Sequence, residues 1–220
     1  MLVAGIDEAG RGAVIGPLVI AGVLVGEEAF QKLKELGVKD SKLLTAHRRE
    51  VLFADIRKLA KDYNVVKLWP REIDVAVNSG RKLHKLNRLE AQTMARVIEA
   101  LRPDKVYVDA ADVLEQRFKH HILECLSFRA KIVSEHKADR NYVVVSAASI
   151  IAKVERDREI AELASKYGDL GSGYPSDPRT VSFLTQCIAK ESEYPDFVRK
   201  SWRPAKKAKN EKGWVQVKLI

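Results

Sequence analysis

The sequence predicts an α/β fold in which helices pack against a sheet. Strand-like apolar runs alternate with helical patterns as far as residue 165, which is typical of layered α/β domains. With 46% hydrophobic residues, the 220-residue chain has enough apolar content for a sizeable core. The alternation stops at residues 168–178, which are rich in glycine and proline. We therefore predict one large α/β domain followed by a small helical extension.

The first half supplies the elements in order. Apolar runs at residues 2–6 and 14–25 predict two strands, and helical patterns follow at 27–36 and 45–62. Thr45 has the side chain of a helix N-cap. A short strand at 64–68 leads past Pro70 into a small helix. Apolar residues at helical spacing predict a longer helix at 83–101.

The second half repeats this pattern. We predict a strand at 105–109, a helix at 114–126, a strand at 130–134 and a long helix at 142–165. Asp112 is placed to cap the helix at 114–126. After the irregular segment come an amphipathic stretch at 180–190, a short piece near Phe197 and a basic tail. We place the catalytic domain at residues 1–175 and the helical segment with its tail at 176–220.

Charge is concentrated near the carboxyl terminus. The formal net charge is +9, and residues 199–220 contain eight Lys or Arg against Glu211 alone, which accounts for seven of those nine charges. Such a tail suits a polyanion such as nucleic acid. A solvated tail that aids solubility is the alternative.

Several classes are disfavoured by composition. The sequence has no apolar run near the ~20 residues of a membrane helix, and its start lacks a signal peptide, so we expect a cytoplasmic protein without membrane association. Cys125 and Cys187 are far apart, which indicates neither a disulfide framework nor a zinc site. We also expect a monomer, because no coiled-coil heptads or long apolar edge occur.

The most informative segment follows the first strand: Asp7-Glu8-Ala9-Gly10-Arg11-Gly12. Two carboxylates supply hard oxygen ligands for Mg²⁺ or Mn²⁺, and glycines allow the backbone to approach a ligand closely. A phosphate-binding loop is the first alternative, but it requires Lys and Ser or Thr after its glycine. A polar hairpin turn is the second.

Acids follow predicted strands at three places in the chain. Asp7 and Glu8 follow the first strand, Asp109 ends the strand at 105–109, and Asp139 comes after the strand at 130–134. Ligands bind outside the carboxyl ends of strands in open α/β sheets. The four carboxylates could hold two divalent ions, as in phosphodiester-cleaving enzymes. Consecutive strand residues point to opposite faces, so Asp7 and Glu8 can serve one site only if the strand ends or bulges there.

Polar side chains form a stripe on the long helix. Ser146, Ser149, Lys153 and Asp157 are three or four residues apart and share one face. The stripe indicates a face turned toward a site or a substrate. Serines packed inside a core are the alternative for Ser146 and Ser149.

Two further clusters suit a nucleic-acid enzyme. Ser41 and Lys42 offer a hydroxyl and an ammonium that could bind phosphate. Tyr174, between Gly173 and Pro175, could stack on a sugar or base. Packing of the Tyr174 ring within the protein is the alternative.

Taken together, these motifs resemble ribonuclease HII, most closely its archaeal type. The matching segments run in family order over about residues 1–200: Asp7-Glu8-Ala9-Gly10-Arg11-Gly12, Asp40-Ser41-Lys42, Asp109, His136-Lys137-Ala138-Asp139, Ser146-Ala147-Ala148-Ser149 with Lys153, and Gly171-Ser172-Gly173-Tyr174-Pro175-Ser176-Asp177. The resemblance implies an RNase H-like fold with a mixed central sheet flanked by helices. It also implies cleavage of RNA in RNA/DNA hybrids and at ribonucleotides embedded in duplex DNA, and so roles in ribonucleotide excision repair and DNA replication.

The resemblance also assigns roles to residues. Asp7, Glu8, Asp109 and Asp139 correspond to acids that bind Mg²⁺ or Mn²⁺, with cleavage leaving 3′-hydroxyl and 5′-phosphate ends. The segment Gly10-Arg11-Gly12 corresponds to the loop that contacts the ribose 2′-hydroxyl, the group that separates RNA from DNA. Tyr174 corresponds to the residue that stacks on the sugar beside the junction.

The chain departs from the family pattern in two loops and at its end. Ala13 replaces a usual proline, and Leu43 replaces a common lysine. Archaeal members often end in a sliding-clamp binding peptide with two aromatic residues. Here Gln216 and Leu219 match its first spacing without the aromatics, so clamp binding is a secondary expectation.

Two other functions remain open from sequence. A type III-like enzyme would cut hybrids but attack a single embedded ribonucleotide poorly, and we disfavour it because the acidic motif begins at Asp7 with no binding domain before it. A non-catalytic hybrid-binding protein is expected to lose some acids, whereas all four are present.

Overall fold

The computed structural model describes residues 1–38, 44–80, 85–191 and 193–217, with side chains described to residue 210. The elements are β1 Leu2–Ala9, β2 Leu18–Gly26, a 3₁₀ turn Glu27–Ala29, α1 Phe30–Glu35, α2 Ala46–Leu59, β3 Asp62–Leu68, α3 Pro70–Asn78, α4 Lys85–Leu101, β4 Lys105–Asp109, α5 Glu115–Leu123, β5 Lys131–Glu135, α6 Ala138–Asn141, α7 Val143–Tyr167, α8 Pro178–Glu191 and α9 Arg203–Val217.

The sheet has the strand order β3-β2-β1-β4-β5. β1 pairs with β2 in antiparallel and with β4 in parallel, and β4 pairs with β5 in parallel. Every residue of β2 is buried, in keeping with its unbroken apolar sequence. The predicted α/β fold with a mixed central sheet is therefore confirmed.

The start of α7 packs directly on β1. A Cβ atom added to Gly5 would lie 2.3 Å from the backbone carbonyl carbon of Val144. Only glycine permits this approach, and small or apolar residues continue along the helix in Ala147, Ala148 and Ile151. The contact fixes α7 against the central strand.

The chain divides into two compact units. The first unit contains Met1–Ala9, Val19–Lys67 and Lys82–Glu155, and the second contains Gly10–Leu18, Leu68–Arg81 and Arg156–Ile220. Each has its own apolar cluster, which in the second unit includes Ile15, Ile160 and Leu184. The functional boundary near residue 175 remains a prediction. In the ranges that the structure describes, none of the helices is long and apolar enough to cross a membrane.

Several predicted elements differ from the structure at their ends. The strand predicted at 14–25 begins only at Leu18, because Gly16 adopts φ +83° and Ile15 instead forms an isolated bridge with Val198. The helix predicted at 27–36 opens with a 3₁₀ turn. The helix predicted at 83–101 is seen from Lys85, with its first two residues outside the described ranges.

The two predicted helix caps had different outcomes. Thr45 is confirmed, since its hydroxyl accepts a hydrogen bond from the Arg48 N–H at 3.2 Å. Asp112 is not the N-cap of α5, because Leu114 occupies that position. The Asp112 carboxylate instead accepts hydrogen bonds from the Leu114 N–H and the Arg117 guanidinium, so it supports the loop before the helix.

Candidate active site

Asp7 and Asp109 lie near the ends of neighbouring parallel strands in the first unit. The register pairs Ile6 with Val108, so the two aspartates follow at matching positions. The pKa of Asp7 is raised to about 6, chiefly by burial, and the negative charge of Asp109 contributes to the rise. The two carboxylates therefore repel each other, as predicted for acids gathered at this edge of the sheet.

A cation and a hydroxyl from α7 face this pair. Lys153 lowers the pKa of Asp7 through its positive charge, and a hydrogen bond from Ser149 also lowers it. The Lys153 ammonium donates a hydrogen bond to the Ser149 hydroxyl. Lys153 and Ser149 thus favour an ionised Asp7 inside an environment that opposes it.

Glu8 is positioned differently from the sequence expectation. The strand predicted at 2–6 continues as β1 without a bulge to Ala9, with Glu8 opposite Ile20 in the ladder. Regular pleating starts the two side chains on opposite faces, so Glu8 would have to reach the site around the end of the strand, which comes one residue later at Ala9. The Glu8 backbone N–H donates to the Asp7 carboxylate at 2.7 Å. Glu8 therefore supports Asp7 through its backbone, and its role as a ligand stays a prediction.

Asp139 lies in the short helix α6 rather than directly at a strand end. The N–H of the preceding Ala138 donates to the Asp109 carboxylate at 2.8 Å, which ties α6 to the end of β4. The Ser146 hydroxyl donates to the Asp139 backbone carbonyl. These contacts join the segments that carry two of the predicted acids.

The serines of the predicted stripe are buried. Ser146 and Ser149 are 1% and 0% exposed, whereas Lys153 is partly exposed. Both serines contact the acid-bearing framework, so the stripe faces the predicted site. Contact of Ser146, Ser149 or Lys153 with substrate remains a prediction, and Ser41 and Lys42 lie outside the described residues.

The donor chemistry of the first unit suits a divalent cation. Carboxylate oxygens are preferred by Mg²⁺ and Mn²⁺, and a cation would relieve the repulsion between Asp7 and Asp109. Over the described ranges, no group of three or more His, Cys, Asp or Glu side chains is arranged to hold a metal ion. The Asp7–Asp109 pair is thus the part of the predicted ligand set that the structure brings together.

The Gly10-Arg11-Gly12 loop belongs to the second unit. Gly10 adopts φ +86°, and a Cβ there would lie 2.7 Å from the Pro17 carbonyl oxygen. The buried Arg199 guanidinium donates to the carbonyls of Gly10 at 2.7 Å and Arg11 at 2.9 Å. The loop is therefore a constrained structure within this unit rather than a simple hairpin turn.

Tyr174 lies beside this loop in the same unit. A Cβ on Gly12 would lie 4.0 Å from Cε1 of Tyr174. The Arg156 guanidinium lies over the Tyr174 ring, 4.4 Å from its centroid. The Gly173 carbonyl accepts hydrogen bonds from the N–H groups of Val14 and Ile15 at 2.8 and 3.2 Å. The second unit alone thus brings the two predicted substrate-contacting segments together.

A hydrogen-bond network shapes the loop before Tyr174. Asp177 accepts from the Ser172 N–H at 2.7 Å, and this bond together with Arg179 holds the pKa of Asp177 well below its usual range. The Thr180 hydroxyl accepts from the Gly173 N–H at 3.0 Å and donates to the Leu170 carbonyl at 2.8 Å. The backbone around Tyr174 is therefore fixed by side chains of α8 and the turn before it.

Sequence reasoning missed the two arginines that organise these loops. Arg199 was counted with the basic tail, yet it is fully buried, and Arg156 is only 5% exposed. The apolar neighbours Phe197, Val198 and Trp202 were the local signal that residue 199 lies in packed structure.

The fold and site together define an α/β nuclease of the ribonuclease H-like class. The chain belongs to the ribonuclease HII family, since the family model described as "Ribonuclease HII" matches residues 4–205. The resemblance found from the motifs is thereby confirmed. The protein is a hydrolytic nuclease of the ribonuclease H type, and divalent-metal dependence is general for its family.

Known relatives cover nearly the whole chain. A ribonuclease HII of Thermococcus onnurineus (strain NA1) is 52% identical over 209 residues, which is 94% of this chain and 89% of the relative. The crystal structure of ribonuclease H2 from Pyrococcus horikoshii OT3 is similar with a TM-score of 0.88 and 47% identity, covering 96% of this chain and 98% of that one. The RNase HII chain from a PCNA:RNase HII complex of Archaeoglobus fulgidus is similar with a TM-score of 0.83 and 44% identity, covering 92% of this chain and 96% of that one.

Proposed function

We propose that this protein hydrolyses the RNA strand of RNA/DNA hybrids and cuts 5′ of ribonucleotides embedded in duplex DNA. Cleavage leaves 3′-hydroxyl and 5′-phosphate ends. The observation that carries the proposal is the pairing of buried Asp7 with the half-buried Asp109, with Lys153 acting on Asp7, in a chain of the ribonuclease HII family. An anionic site of this kind suits a metal-assisted reaction at a phosphodiester.

The acids Asp7, Glu8, Asp109 and Asp139 would hold two ions, Mg²⁺ or Mn²⁺. When bound, the ions supply charge neutralisation and a more acidic water for attack on phosphorus. Ser149 and Lys153 keep Asp7 ionised against its burial, which preserves it as a ligand. The Ala138 N–H holds one oxygen of Asp109, which fixes that carboxylate in orientation.

Recognition of the ribonucleotide would fall to the second unit. The backbone of Gly10, Arg11 and Gly12 would contact the 2′-hydroxyl, and Tyr174 would stack on the neighbouring sugar. Support comes from the constrained loop and from the Tyr174 ring beside Gly12. The 2′-hydroxyl both donates and accepts hydrogen bonds, so a fixed backbone can distinguish it from the hydrogen of DNA.

The first test uses an end-labelled DNA duplex containing one ribonucleotide, incubated with Mg²⁺, with Mn²⁺ or with EDTA. We expect cleavage on the 5′ side of the ribonucleotide with a metal and none with EDTA. Cutting of long RNA/DNA hybrids alone would favour the type III-like activity instead.

The second test compares two matched substitutions around β4. Asp109→Asn removes one charge of the Asp7–Asp109 pair, whereas Asp104→Asn makes the same change just before the strand, where Asp104 accepts from the Leu2 N–H at 2.7 Å. Loss of several kcal/mol of charge stabilisation corresponds to a fall in kcat/KM on the order of 10³-fold. We expect this for Asp109→Asn only. Unchanged cleavage by Asp109→Asn would refute the proposed site.

Three wider properties concern the partners, the location and the oligomeric state of the protein. The Archaeoglobus fulgidus relative is described in a complex with PCNA, and we propose that this chain also contacts a sliding clamp through its C-terminal tail. Calorimetry with a tail peptide and the clamp tests this, and no heat of binding would dispose of it. We also propose that the protein is cytoplasmic and monomeric. Light scattering tests the monomeric state by measuring the molar mass in solution.

A further inference from the structure

Arg199 binds the segment that includes the Gly10-Arg11-Gly12 loop from the inside of the second unit. Its side chain is 0% exposed. Nη2 donates to the Gly10 carbonyl at 2.7 Å and to the Gly16 carbonyl at 3.2 Å, while Nη1 donates to the Arg11 carbonyl at 2.9 Å. One planar guanidinium thus holds three carbonyls of a single segment.

These hydrogen bonds set the direction of two amide groups. Both peptide units concerned are trans, and in a planar trans peptide the N–H points opposite to the C=O. Because the Gly10 and Arg11 carbonyls point at Arg199, the N–H groups of Arg11 and Gly12 point away from it. Arg199 is buried whereas Gly12 is exposed, so these two donors are turned from the interior toward solvent.

Arg199 is itself held in place from both sides. Its N–H donates to the Val14 carbonyl at 2.9 Å, and its guanidinium lies 5.1 Å from the centroid of the Trp202 ring. The Asp74 carboxylate of α3 accepts from the N–H groups of Lys200 at 2.8 Å and Ser201 at 3.0 Å. The Arg199 guanidinium is therefore fixed before any substrate binds, which lowers the entropy cost of presenting the loop.

We propose that Arg199 is a positioning residue for ribonucleotide recognition, which aims the Arg11 and Gly12 amides at the 2′-hydroxyl of the substrate. The inference rests on the proposed function of this loop. Arg199 does not touch the substrate in this account, and it acts by fixing the orientation of two peptide units.

The role requires an arginine rather than any cation. A guanidinium presents several donors in a rigid plane, whereas an ammonium is a compact point charge on a flexible stem. In Arg199→Lys the charge remains, but one ammonium cannot hold the Gly10, Arg11 and Gly16 carbonyls in the same geometry. The loop then samples other peptide orientations, and selectivity for the 2′-hydroxyl falls.

The test measures binding rather than cleavage, in full-length protein carrying Asp139→Asn so that the probe stays intact. Fluorescence anisotropy gives Kd for a duplex with one ribonucleotide and for the all-DNA duplex of the same sequence, both with Mg²⁺. The preference for a ribonucleotide is the Kd for the all-DNA duplex divided by the Kd for the duplex with one ribonucleotide. We expect Arg199→Lys to reduce this ratio about tenfold. We expect the Kd for all-DNA duplex to stay within about twofold.

Tyr194→Phe is the matched structural control. The buried Tyr194 hydroxyl donates to the Ala205 carbonyl at 2.9 Å in the apolar cluster of this unit, a hydrogen bond that does not involve the loop carbonyls. Its loss lowers the thermal stability of this unit without freeing the loop, so the ratio should not change. If Tyr194→Phe reduced the ratio as much as Arg199→Lys, the specific role of Arg199 would be overturned.

Asp74→Asn keeps the test decisive if Arg199→Lys does not fold. It weakens the anchor at Lys200 and Ser201, so we expect a smaller fall in the ratio, again absent in Tyr194→Phe. Suppose that the parent protein prefers the ribonucleotide and that Arg199→Lys, or a folded Asp74→Asn, retains the full ratio. This result would overturn the role of Arg199 alone. A parent with no preference would overturn the proposed recognition function and this inference together.

Discussion

Two buried aspartates of the first unit have pKa values shifted in opposite directions. Burial dominates at Asp7 and raises its pKa to about 6. At Asp112 the hydrogen bonds from the Arg117 guanidinium dominate and hold the pKa well below its usual range. The surroundings of Asp7 thus oppose its charge, as expected of the cation ligand that we propose, whereas Asp112 is a satisfied structural charge.

The lowered pKa of Asp112 predicts a pH-dependent contribution to stability. The folded state holds this carboxylate ionised below the ordinary aspartate pKa, so its contribution is present above about pH 4 and is lost as the pH falls further. Asp112→Asn is expected to lower the free energy of unfolding by about 1–3 kcal/mol at pH 7. Urea unfolding at pH 7, 5 and 3 should show the difference from wild type shrinking toward acid.

A surface pair provides the control for this prediction. Asp55 forms an i,i+3 ion pair with Lys58 at 3.0 Å, with Lys58 largely exposed. Asp55→Asn should change stability by at most about 1 kcal/mol. A cost at Asp112 that did not depend on pH would contradict the assigned pKa shift.

The contact of β1 with α7 is the packing feature on which the acid site depends. Gly5 lies against the backbone of Val144, on the helix that carries Ser149, which contacts Asp7, and Ser146, which contacts Asp139. Gly5→Ala would force the helix and strand apart and is expected to cost about 2–3 kcal/mol. For a chain of this length the melting temperature should fall by roughly 4–12 °C, and kcat should fall with it because α7 shifts.

Gly80→Ala is the matched control for the β1–α7 contact. Among the described residues, a Cβ at Gly80 meets no atom within 4 Å, so thermal unfolding and cleavage should both stay close to wild type. If Gly5→Ala melted and cleaved like Gly80→Ala, close packing of α7 would not be what fixes the site.

Local sequence patterns predicted the elements whose causes are local. Thr45 caps its helix because a hydroxyl and a nearby N–H suffice. The proximity of Asp7 and Asp109 could be predicted from the sequence because the ends of neighbouring parallel strands meet at one edge of the sheet. The continuation of β1 through Glu8 could not be predicted, since it depends on pairing with Ile20 of β2 rather than on the glycines that follow.

Long-range contacts set what the sequence patterns missed. Arg199 looks like one more cation of a basic tail, and its burial depends on the carbonyl of Gly10, 189 residues earlier in the chain. The sequence could not decide whether Ser146 and Ser149 pack in the core or face a functional site, because the helical pattern places them on one face without showing what that face contacts. Contacts with Asp139 and Asp7 supplied that answer.

The uneven charge of the whole chain predicts how it binds nucleic acid. Residues 199–220 carry seven of the nine net charges, and α9 exposes Lys206, Lys207 and Lys209. Cations that neutralise phosphates release counterions, so binding weakens as salt rises, with a slope near 0.9 per phosphate contacted. If the three lysines contact duplex phosphates, replacing them with Gln should reduce the slope of log Kd against log salt by about 2–3.

The matched control removes the same charge from another surface. Lys32, Lys34 and Lys58 are exposed on α1 and α2, and their triple Gln variant has the same net charge as the α9 variant. Anisotropy across about 50–300 mM salt should show the slope of log Kd against log salt falling only for the α9 variant. The preference for a ribonucleotide should not change, because phosphate contacts do not distinguish ribose from deoxyribose, whereas a contact with the 2′-hydroxyl does. Equal effects of the two variants would show that total charge, rather than the position of the tail, governs binding.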